Sequence, residues 1–192
     1  MNNALDTLKK EIRRELISRR NELKEDERKS HDKAILDKVI SLPLYREADT
    51  VLVYASYKGE VDTYALMERC LNDGKKLACP KCRIDKGEGL LDFYFISSTD
   101  ELTPGYKGIP EPDDEKAGPL TGKDLEDALV IIPMVGYDGE LNRLGYGGGF
   151  YDRFLAPIKG LKKMGLAYSC QEYDSLPAGE YDIKLDMIIN EL

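Results

Sequence analysis

Four glycines fall within five positions of the stretch NRLGYGGGFYDRF, Asn142 to Phe154. The stretch lies shortly after the apolar run ALVIIPMV, which predicts a buried strand. Glycine is the residue that costs most to order, so such a cluster indicates that the backbone bends unusually or approaches something closely. Between a strand and a helix, successive N–H groups of such a loop can turn toward one anion. The cluster is compatible with a phosphate-binding loop but is a weak signal by itself, because tight turns and close packing also use glycine.

Two known phosphate motifs do not fit this loop. A P-loop closes with Gly-Lys-Ser/Thr, whereas this loop closes with Gly149, Phe150 and Tyr151. A dinucleotide fingerprint has the spacing Gly-x-Gly-x-x-Gly near the first strand, whereas here the spacing is Gly-x-Gly-Gly-Gly, late in the chain.

Two charged residues flank the glycines. Asp152 falls in the first turn of a helix predicted from Phe150 to about Pro157, where a carboxylate stabilises the helix dipole. Beside a bound phosphate the same carboxylate would repel the ligand unless a cation such as Mg²⁺ joined the two. Arg143 is placed to add charge-assisted hydrogen bonds. Together they predict a metal–nucleotide site.

The N-terminal helix, predicted from Leu5 to Leu23, carries Lys9 and Arg13 on one face. Like charges at this spacing are unfavourable unless an anion lies between them. The alternative is a solvated face on which Glu11 and Glu15 dilute the charge, and the residues alone favour that alternative.

The elements that must position these residues alternate between strand and helix. Helices are predicted at Glu25 to Ser41 and at Thr63 to Asp73, the latter with Asp62 as a candidate N-cap. Short apolar runs predict strands at TVLVYAS, KLACP, DFYFIS, ALVIIPMV, KKMGLAYS and DMIIN. The alternation predicts an α/β architecture around a mainly parallel sheet, in which ligands bind beyond the carboxyl ends of the strands.

Length and charge exclude several classes of protein. The 192 residues suit one domain, and the net charge of −8 argues against broad binding to nucleic acid or anionic membranes. No apolar run approaches about 18 residues and the N-terminus mixes charges, so we expect a cytoplasmic protein without a membrane span. Any anionic ligand must therefore be bound by a local group of positive or N–H donor groups.

The four cysteines indicate reduced thiols. Cys79 and Cys82 have a spacing used by zinc and redox sites, but no second pair accompanies them and the only histidine, His31, lies in the charged N-terminal region. We interpret CPKC as a buried strand that runs into a turn at Pro80.

The segment from Thr103 to Gly122 contains four prolines and four glycines. Composition favours a solvated connection, and the alternative is an ordered loop that borders a pocket.

The stretch from Ile131 to Leu155 closely resembles the signature of the 5-formyltetrahydrofolate cyclo-ligase family, in which a strand leads into Arg-Leu-Gly-x-Gly-x-Gly-Tyr-Tyr-Asp. KKEIRREL, YASYKGEVDTYAL, GYKGIPEP and LPAGEYDIKLDMII are similar to further family blocks. These blocks occur in the family's order over nearly the whole chain.

The resemblance implies a single domain over residues 1–192, an open sheet with helices on both faces, and closure of 5-formyltetrahydrofolate, whose tail can carry polyglutamate, to 5,10-methenyltetrahydrofolate. ATP is the implied co-substrate, with release of ADP and phosphate, and Mg²⁺ the implied metal. Transfer of the γ-phosphoryl group to the formamide oxygen would make a leaving group that N10 can displace, while the protein positions and neutralises charge.

The family pattern also implies roles for individual residues. The implied catalytic residues are Lys9, Arg143 and Tyr151. The implied ATP-binding residues are Lys9, Arg13, Arg143, Leu144, Gly145, Tyr146, Gly147, Gly148, Gly149, Phe150 and Tyr151. The implied folate-binding residues are Tyr57, Glu60, Asp62 and Tyr151. The implied magnesium carboxylates are Asp152 and Asp186.

Two positions depart from the family. Phe150 stands where tyrosine is common, and Gly148 stands where some relatives carry lysine. Lys9 or Arg143 would then supply the missing charge. Two other functions fit the bare loop: a nucleotide-binding module without catalysis, and a sugar-phosphate isomerase-like enzyme without ATP.

Overall fold

The computed structural model describes residues 2–114 and 118–192. The helices are α1 (Asn2–Asn21), α2 (Glu25–Ser41), α3 (Pro43–Glu47), α4 (Tyr64–Asn72), α5 (Gly122–Leu125) and α6 (Phe150–Leu155). The strands are β1 (Thr50–Val53), β2 (Lys76–Asp85), β3 (Glu88–Ile96), β4 (Leu102–Pro104), β5 (Pro110–Pro112), β6 (Leu129–Pro133), β7 (Gly136–Tyr137), β8 (Arg143–Leu144), β9 (Lys162–Leu166) and β10 (Met187–Ile189).

Six strands form one open sheet in the order β10-β9-β6-β1-β2-β3. All neighbours run parallel except β2 and β3, which form an antiparallel hairpin. In the centre, Val51 lies opposite Leu77 on one side and Leu129 on the other. The predicted α/β fold with an open, mainly parallel sheet is confirmed.

Both faces of this sheet are covered, which explains why β1 and β6 are continuous apolar runs. Val51 and Val53 point toward a cluster that includes residues of α2 and α4. Leu52 points to the opposite cluster, which includes Leu125 of α5 and Leu155 of α6. The helices therefore lie on both faces, as the resemblance implies.

Strand β2 is longer than expected, because it continues through Pro80 to Asp85. The N–H of Cys82 points away from β3, since it donates to Oε1 of Glu111 at 3.1 Å. Strand alternation puts the nitrogen of Pro80 on that same side, beyond the last β1–β2 pair at Ala78. No ladder hydrogen bond is lost there, so the predicted turn at Pro80 is wrong.

The continuation of β2 also separates the two cysteines. Cys79 belongs to the cluster under α2 and α4, whereas Cys82 packs against the cluster on the other face. Burial raises the pKa of the Cys79 thiol far above its ordinary value, and that of Cys82 to about 12. The pair is therefore not a shared metal or dithiol site.

The proline- and glycine-rich segment is ordered over much of its length. Strands β4 and β5 pair antiparallel, and Glu111 of β5 is 4% exposed. The hydroxyl of Tyr57 donates to the carbonyl of Lys107 at 3.0 Å. A solvated connection is therefore the wrong interpretation for residues 103–112, while residues 115–117 lie outside the described part of the chain.

No helix in the described ranges is both long enough and apolar enough to cross a membrane.

Candidate functional site

The glycine loop, residues 145–149, lies beyond the carboxyl end of β6. The chain leaves β6, forms the short β7–β8 hairpin and then enters the loop. Gly147 has φ of 94° and Gly149, the N-cap of α6, has φ of 66°. Left-handed backbone at both positions explains why glycine is needed there.

Helix α1 packs along this loop through one apolar and one basic face. Ile12 and Leu16 are buried against the cluster that contains Leu144. Nε of Arg13 donates to the carbonyl of Gly145 at 2.7 Å. Burial lowers the pKa of Arg13, while the neighbouring carboxylate of Asp182 acts in the opposite direction. The predicted solvated face of α1 is therefore wrong at Arg13, whose side chain contacts the loop.

Two guanidinium groups hold loop carbonyls. Arg13 binds the carbonyl of Gly145, and Nη2 of Arg153 donates to that of Gly148. Because a trans peptide points its C=O and N–H in opposite directions, the amides of Tyr146 and Gly149 point away from these arginines. Within the described ranges, no amide from residue 146 to 152 donates to another residue. The loop therefore offers a row of free donors to an anion.

Arg143 and Tyr151 each carry an unsatisfied buried atom. The Arg143 side chain is 4% exposed, and its Nη2 lies 2.8 Å from Oδ1 of Asp152. Nε of Arg143 and the hydroxyl of Tyr151 have no hydrogen-bond partner in the part of the chain that the structure describes. Burial raises the pKa of Tyr151, so its hydroxyl stays protonated and can donate. Unsatisfied buried atoms of this kind indicate a place for water or ligand.

A second carboxylate lies near Asp152, and it is not Asp186. The N–H of Ile183 donates to Oδ1 of Asp152 at 3.3 Å. The preceding residue, Asp182, forms an ion pair with Lys9 and accepts from the N–H of Gly179 at 2.6 Å. Lys9, Asp182 and Asp152 thus belong to one neighbourhood beside the loop.

Asp186 pairs with Lys163, away from the glycine loop. It precedes β10, and its Oδ2 accepts from the N–H of Lys163 at 2.7 Å, while Oδ1 lies 3.0 Å from Lys163 Nζ. Lys163 is the second residue of β9 and so lies at the amino end of the parallel strands. The glycine loop instead follows the carboxyl end of the strands. The expected pairing of Asp152 with Asp186 is therefore not what the fold forms.

The donor set fits Mg²⁺ only with help from a ligand. Asp152 and Asp182 supply carboxylate oxygens, but each faces a cation, Arg143 or Lys9. Among the described residues there is no group of three or more His, Cys, Asp or Glu placed to hold a metal. Mg²⁺ is commonly held by one or two carboxylates together with substrate phosphates, so a phosphate ligand would complete such a site.

The predicted folate-binding residues follow β1. The N–H of Tyr57 donates to Oε2 of Glu60 at 2.9 Å. Burial raises the pKa of Glu60, while hydrogen bonds from Tyr146 and the Tyr57 amide act in the opposite direction. Because Tyr146 belongs to the glycine loop, the structure brings Glu60 to that loop.

Asp62 lies outside this contact. It is exposed, and its Oδ1 accepts from the hydroxyl of Ser56 at 3.1 Å and from the N–H of Tyr64 at 3.3 Å. The N-cap of α4 is Thr63, whose hydroxyl donates to the carbonyl of Tyr54. The N-cap prediction for Asp62 is therefore wrong by one residue.

Phe150, the residue that departs from the family pattern, is a packing residue. Its ring contacts that of Tyr106, with centroids 5.8 Å apart, and lies over Gly148 and Gly89. Arg153 brings a positive charge to Gly148, the position where some relatives carry lysine. Arg153 therefore adds a positive group beside this position, besides the Lys9 and Arg143 that the sequence suggests.

Three residues of the site were missed by the sequence analysis: Arg20, Arg153 and Asp182. The spacing from Lys9 to Arg13 to Arg20, four and then seven residues, places all three on one helical face and could have indicated Arg20. No comparable local signal marks Asp182, because its role depends on how the C-terminal segment crosses beside α1.

Two cavities of about 280 and about 510 Å³ lie elsewhere, one lined by residues of β4 and β5 and the other by residues of α2, α3 and α4. Neither is lined by the glycine loop. The unsatisfied donors, rather than an enclosed cavity, mark the site.

Comparison with known proteins gives a consistent result. Residues 6–191 match the model of the 5-formyltetrahydrofolate cyclo-ligase family. The chain is 32% identical over 175 residues to the 5-formyltetrahydrofolate cyclo-ligase of Escherichia coli K12, covering 89% of this chain and 93% of the relative. It is 29% identical over 179 residues to the Haemophilus influenzae enzyme of the same name, covering 92% and 94%.

Two solved structures are similar over most of their length. The NMR structure of the Aquifex aeolicus 5,10-methenyltetrahydrofolate synthetase gives a TM-score of 0.79 at 34% identity, covering 96% of this chain and 90% of that one. The Mycoplasma pneumoniae 5,10-methenyltetrahydrofolate synthetase gives 0.75 at 26% identity, covering 96% and 99%.

Proposed function

Because the chain belongs to the 5-formyltetrahydrofolate cyclo-ligase family, we propose that it closes 5-formyltetrahydrofolate to 5,10-methenyltetrahydrofolate with ATP and Mg²⁺, releasing ADP and phosphate. The observation that carries this proposal is the row of free amides at residues 146–152, which adjoins Glu60 through Tyr146. A nucleotide phosphate and a folate would thus meet at one place.

ATP binds through its phosphates at the glycine loop. The amides that point away from Arg13 and Arg153 donate to phosphate oxygens, and Arg143 uses its unsatisfied Nε. Lys9 can exchange its ion pair with Asp182 for one with phosphate. These groups supply at the loop the positive charge for phosphate binding that the chain as a whole, with its net charge of −8, lacks.

Asp152 and Asp182 are the residues that would hold Mg²⁺. When bound, the ion neutralises phosphate charge and orients the γ-phosphoryl group. The protein's own contribution is to keep both carboxylates close to the loop, through the N–H groups of Ile183 and Gly179.

The folate binds beside the turn that follows β1. A carboxylate such as that of Glu60 accepts hydrogen bonds from the N–H groups of a pteridine ring, and Tyr57 and Asp62 lie on the same turn. The polyglutamate tail, where present, extends outward from this site. We propose further that the enzyme is a single cytoplasmic domain that acts on these small molecules without nucleic acid or membrane.

In the reaction, the formyl oxygen attacks the γ-phosphorus and the bond from that phosphorus to the β,γ-bridging oxygen breaks, giving ADP. N10 then attacks the formyl carbon and loses its proton, and the C–O bond breaks to release phosphate and leave the methenyl cation. Lys9, Arg143 and Arg153 neutralise the charge on the transferred group. The protonated hydroxyl of Tyr151 donates to an oxygen of the reacting groups.

The test is a direct assay with purified protein, 5-formyltetrahydrofolate, Mg²⁺ and ATP, following the near-ultraviolet absorbance of the methenyl product. We expect product only when all components are present. If none forms while Mg·ATP still stabilises the fold, the loop serves another acceptor. If Mg·ATP gives no stabilisation, an isomerase-like function without ATP becomes the better account.

A further inference from the structure

Arg20 is a buried arginine with an unusual set of partners. It is 2% exposed, and its Nη1 donates to the hydroxyl of Tyr146 at 2.9 Å while Nη2 donates to the carbonyl of Lys58 at 3.1 Å. Its Nε has no partner among the residues that the structure describes. A buried arginine is normally paired with a carboxylate. The Glu60 carboxylate does interact with Arg20 electrostatically, but both groups that accept hydrogen bonds from Arg20 are neutral, and this calls for an explanation.

The two partners belong to different substrate-binding segments. Tyr146 is part of the glycine loop, and Lys58 is part of the turn that carries Glu60. Arg28 reinforces the arrangement, because its guanidinium donates to the carbonyl of Gly59 at 2.6 Å and to that of Arg20 at 2.9 Å. One side chain thus spans the gap between the proposed nucleotide and folate sites.

We propose that Arg20 is a positioning residue that fixes the glycine loop relative to the Glu60 turn, and thereby fixes the γ-phosphoryl group relative to the formyl oxygen. This inference rests on the proposed function. The planar guanidinium suits the task because its donors have a fixed geometry, which a lysine ammonium lacks. The burial of the guanidinium limits competition from water for these hydrogen bonds.

The consequence is a split between binding and turnover. Each substrate has its own segment, so each binds alone almost as well without Arg20. The chemical step needs both reacting atoms in line, and a displacement of about 1 Å can cost up to about a hundredfold in rate. Loss of Arg20 therefore lowers kcat far more than it weakens either binary complex.

The experiment compares Arg20→Gln, Tyr146→Phe and the double variant. Tyr146→Phe removes only the hydroxyl from a residue that is 52% exposed, so it keeps the test valid if Arg20→Gln folds poorly. The exposed Arg14 on the same helix provides the control Arg14→Gln. Dissociation constants are measured separately for 5-formyltetrahydrofolate and for a non-hydrolysable ATP analogue with Mg²⁺, and kcat is measured with both substrates.

We expect kcat to fall by about tenfold or more in Tyr146→Phe and Arg20→Gln, with each dissociation constant within about twofold of wild type. The losses in the double variant should fall well short of additive, because both changes remove the Arg20–Tyr146 hydrogen bond, although Tyr146→Phe also removes the hydrogen bond from that hydroxyl to Glu60. Unchanged kcat in Tyr146→Phe, or additive losses in the double variant, would overturn the inference. Failure of the wild type to bind either ligand would instead overturn the proposed function.

Discussion

Replacement of Asp152 by asparagine tests both the electrostatics of the site and its proposed metal. The carboxylate lies 2.8 Å from a guanidinium group that is 4% exposed, while Asp152 itself is 24% exposed. Asparagine keeps one oxygen that can accept from Arg143 and from the N–H of Ile183, so the substitution removes charge while it preserves shape. Arg143 is left buried without a counter-charge.

The cost follows from the burial of the pair. Breaking a fully buried ion pair costs about 3–5 kcal/mol, and an exposed pair is worth about 0–1 kcal/mol. This pair is buried on one side only, so we expect a loss of about 2 kcal/mol in the free energy of unfolding. For a chain of 192 residues that corresponds to a Tm about 4–8 °C lower.

The assay is thermal unfolding with and without Mg·ATP. At 100 times its dissociation constant a ligand adds about 2.7 kcal/mol, or a rise of about 5–11 °C in the wild type. We expect this rise to be much reduced in Asp152→Asn and Asp182→Asn, with turnover lowered in both. Asp186→Asn is the matched control, because its partner Lys163 lies at the other edge of the sheet.

The reasoning is refuted if Asp186→Asn loses the Mg·ATP stabilisation while Asp182→Asn retains it. A normal Tm in Asp152→Asn would show that Arg143 does not depend on this carboxylate for its charge balance.

Three further substitutions, the first with a matched control, test other features of the structure. In Gly89→Ala a Cβ would lie 2.5 Å from Phe150 Cε1, so overpacking should lower the free energy of unfolding by about 1–3 kcal/mol. The control is Gly139→Ala, where a Cβ meets nothing within 4 Å and the free energy of unfolding should not change. Gly147→Ala must adopt φ of 94° and bring Cβ to 3.3 Å from Arg13 Cζ, so it should raise the KM for ATP; an unchanged KM would argue against the cradle. Burial raises the pKa of Glu60 above its unfolded value of about 4.3, so the stability this group contributes is present below about pH 4.3 and lost at higher pH. Glu60→Gln should therefore gain Tm relative to wild type as the pH rises above about 4.3, while folate binding weakens. A Tm difference that does not change with pH would contradict this.

The sheet and its two covered faces could be predicted from sequence because local patterns determine them. Runs such as that of β6 are apolar throughout only when both faces are buried, and periodicity locates α1 and α2 closely. Pro80 shows where local rules fail. Proline ends most strands, but here its missing N–H falls where β2 has passed the end of β1.

In the site, too, some features could be predicted from local sequence and others depend on contacts between distant segments. The glycine loop could be predicted because its residue types and spacing carry the chemistry. The role of Arg13 was implied only by the family resemblance, since the residues alone favoured a solvated face. Asp182 and Asp186 lie only four residues apart in similar sequence surroundings, and the choice between them depends on which one passes α1 and which begins β10. Arg20 was missed because a buried arginine is indistinguishable from a solvated one until its partners on distant segments are known.

The central claim is that the site brings the γ-phosphorus of ATP to the formyl oxygen of the folate. The most direct measurement uses 5-formyltetrahydrofolate labelled with ¹⁸O in the formyl group, followed by mass analysis of the phosphate released with ATP and Mg²⁺. We expect one ¹⁸O atom in each phosphate, because the formyl oxygen leaves bonded to phosphorus. Unlabelled phosphate accompanying methenyl product would contradict the account.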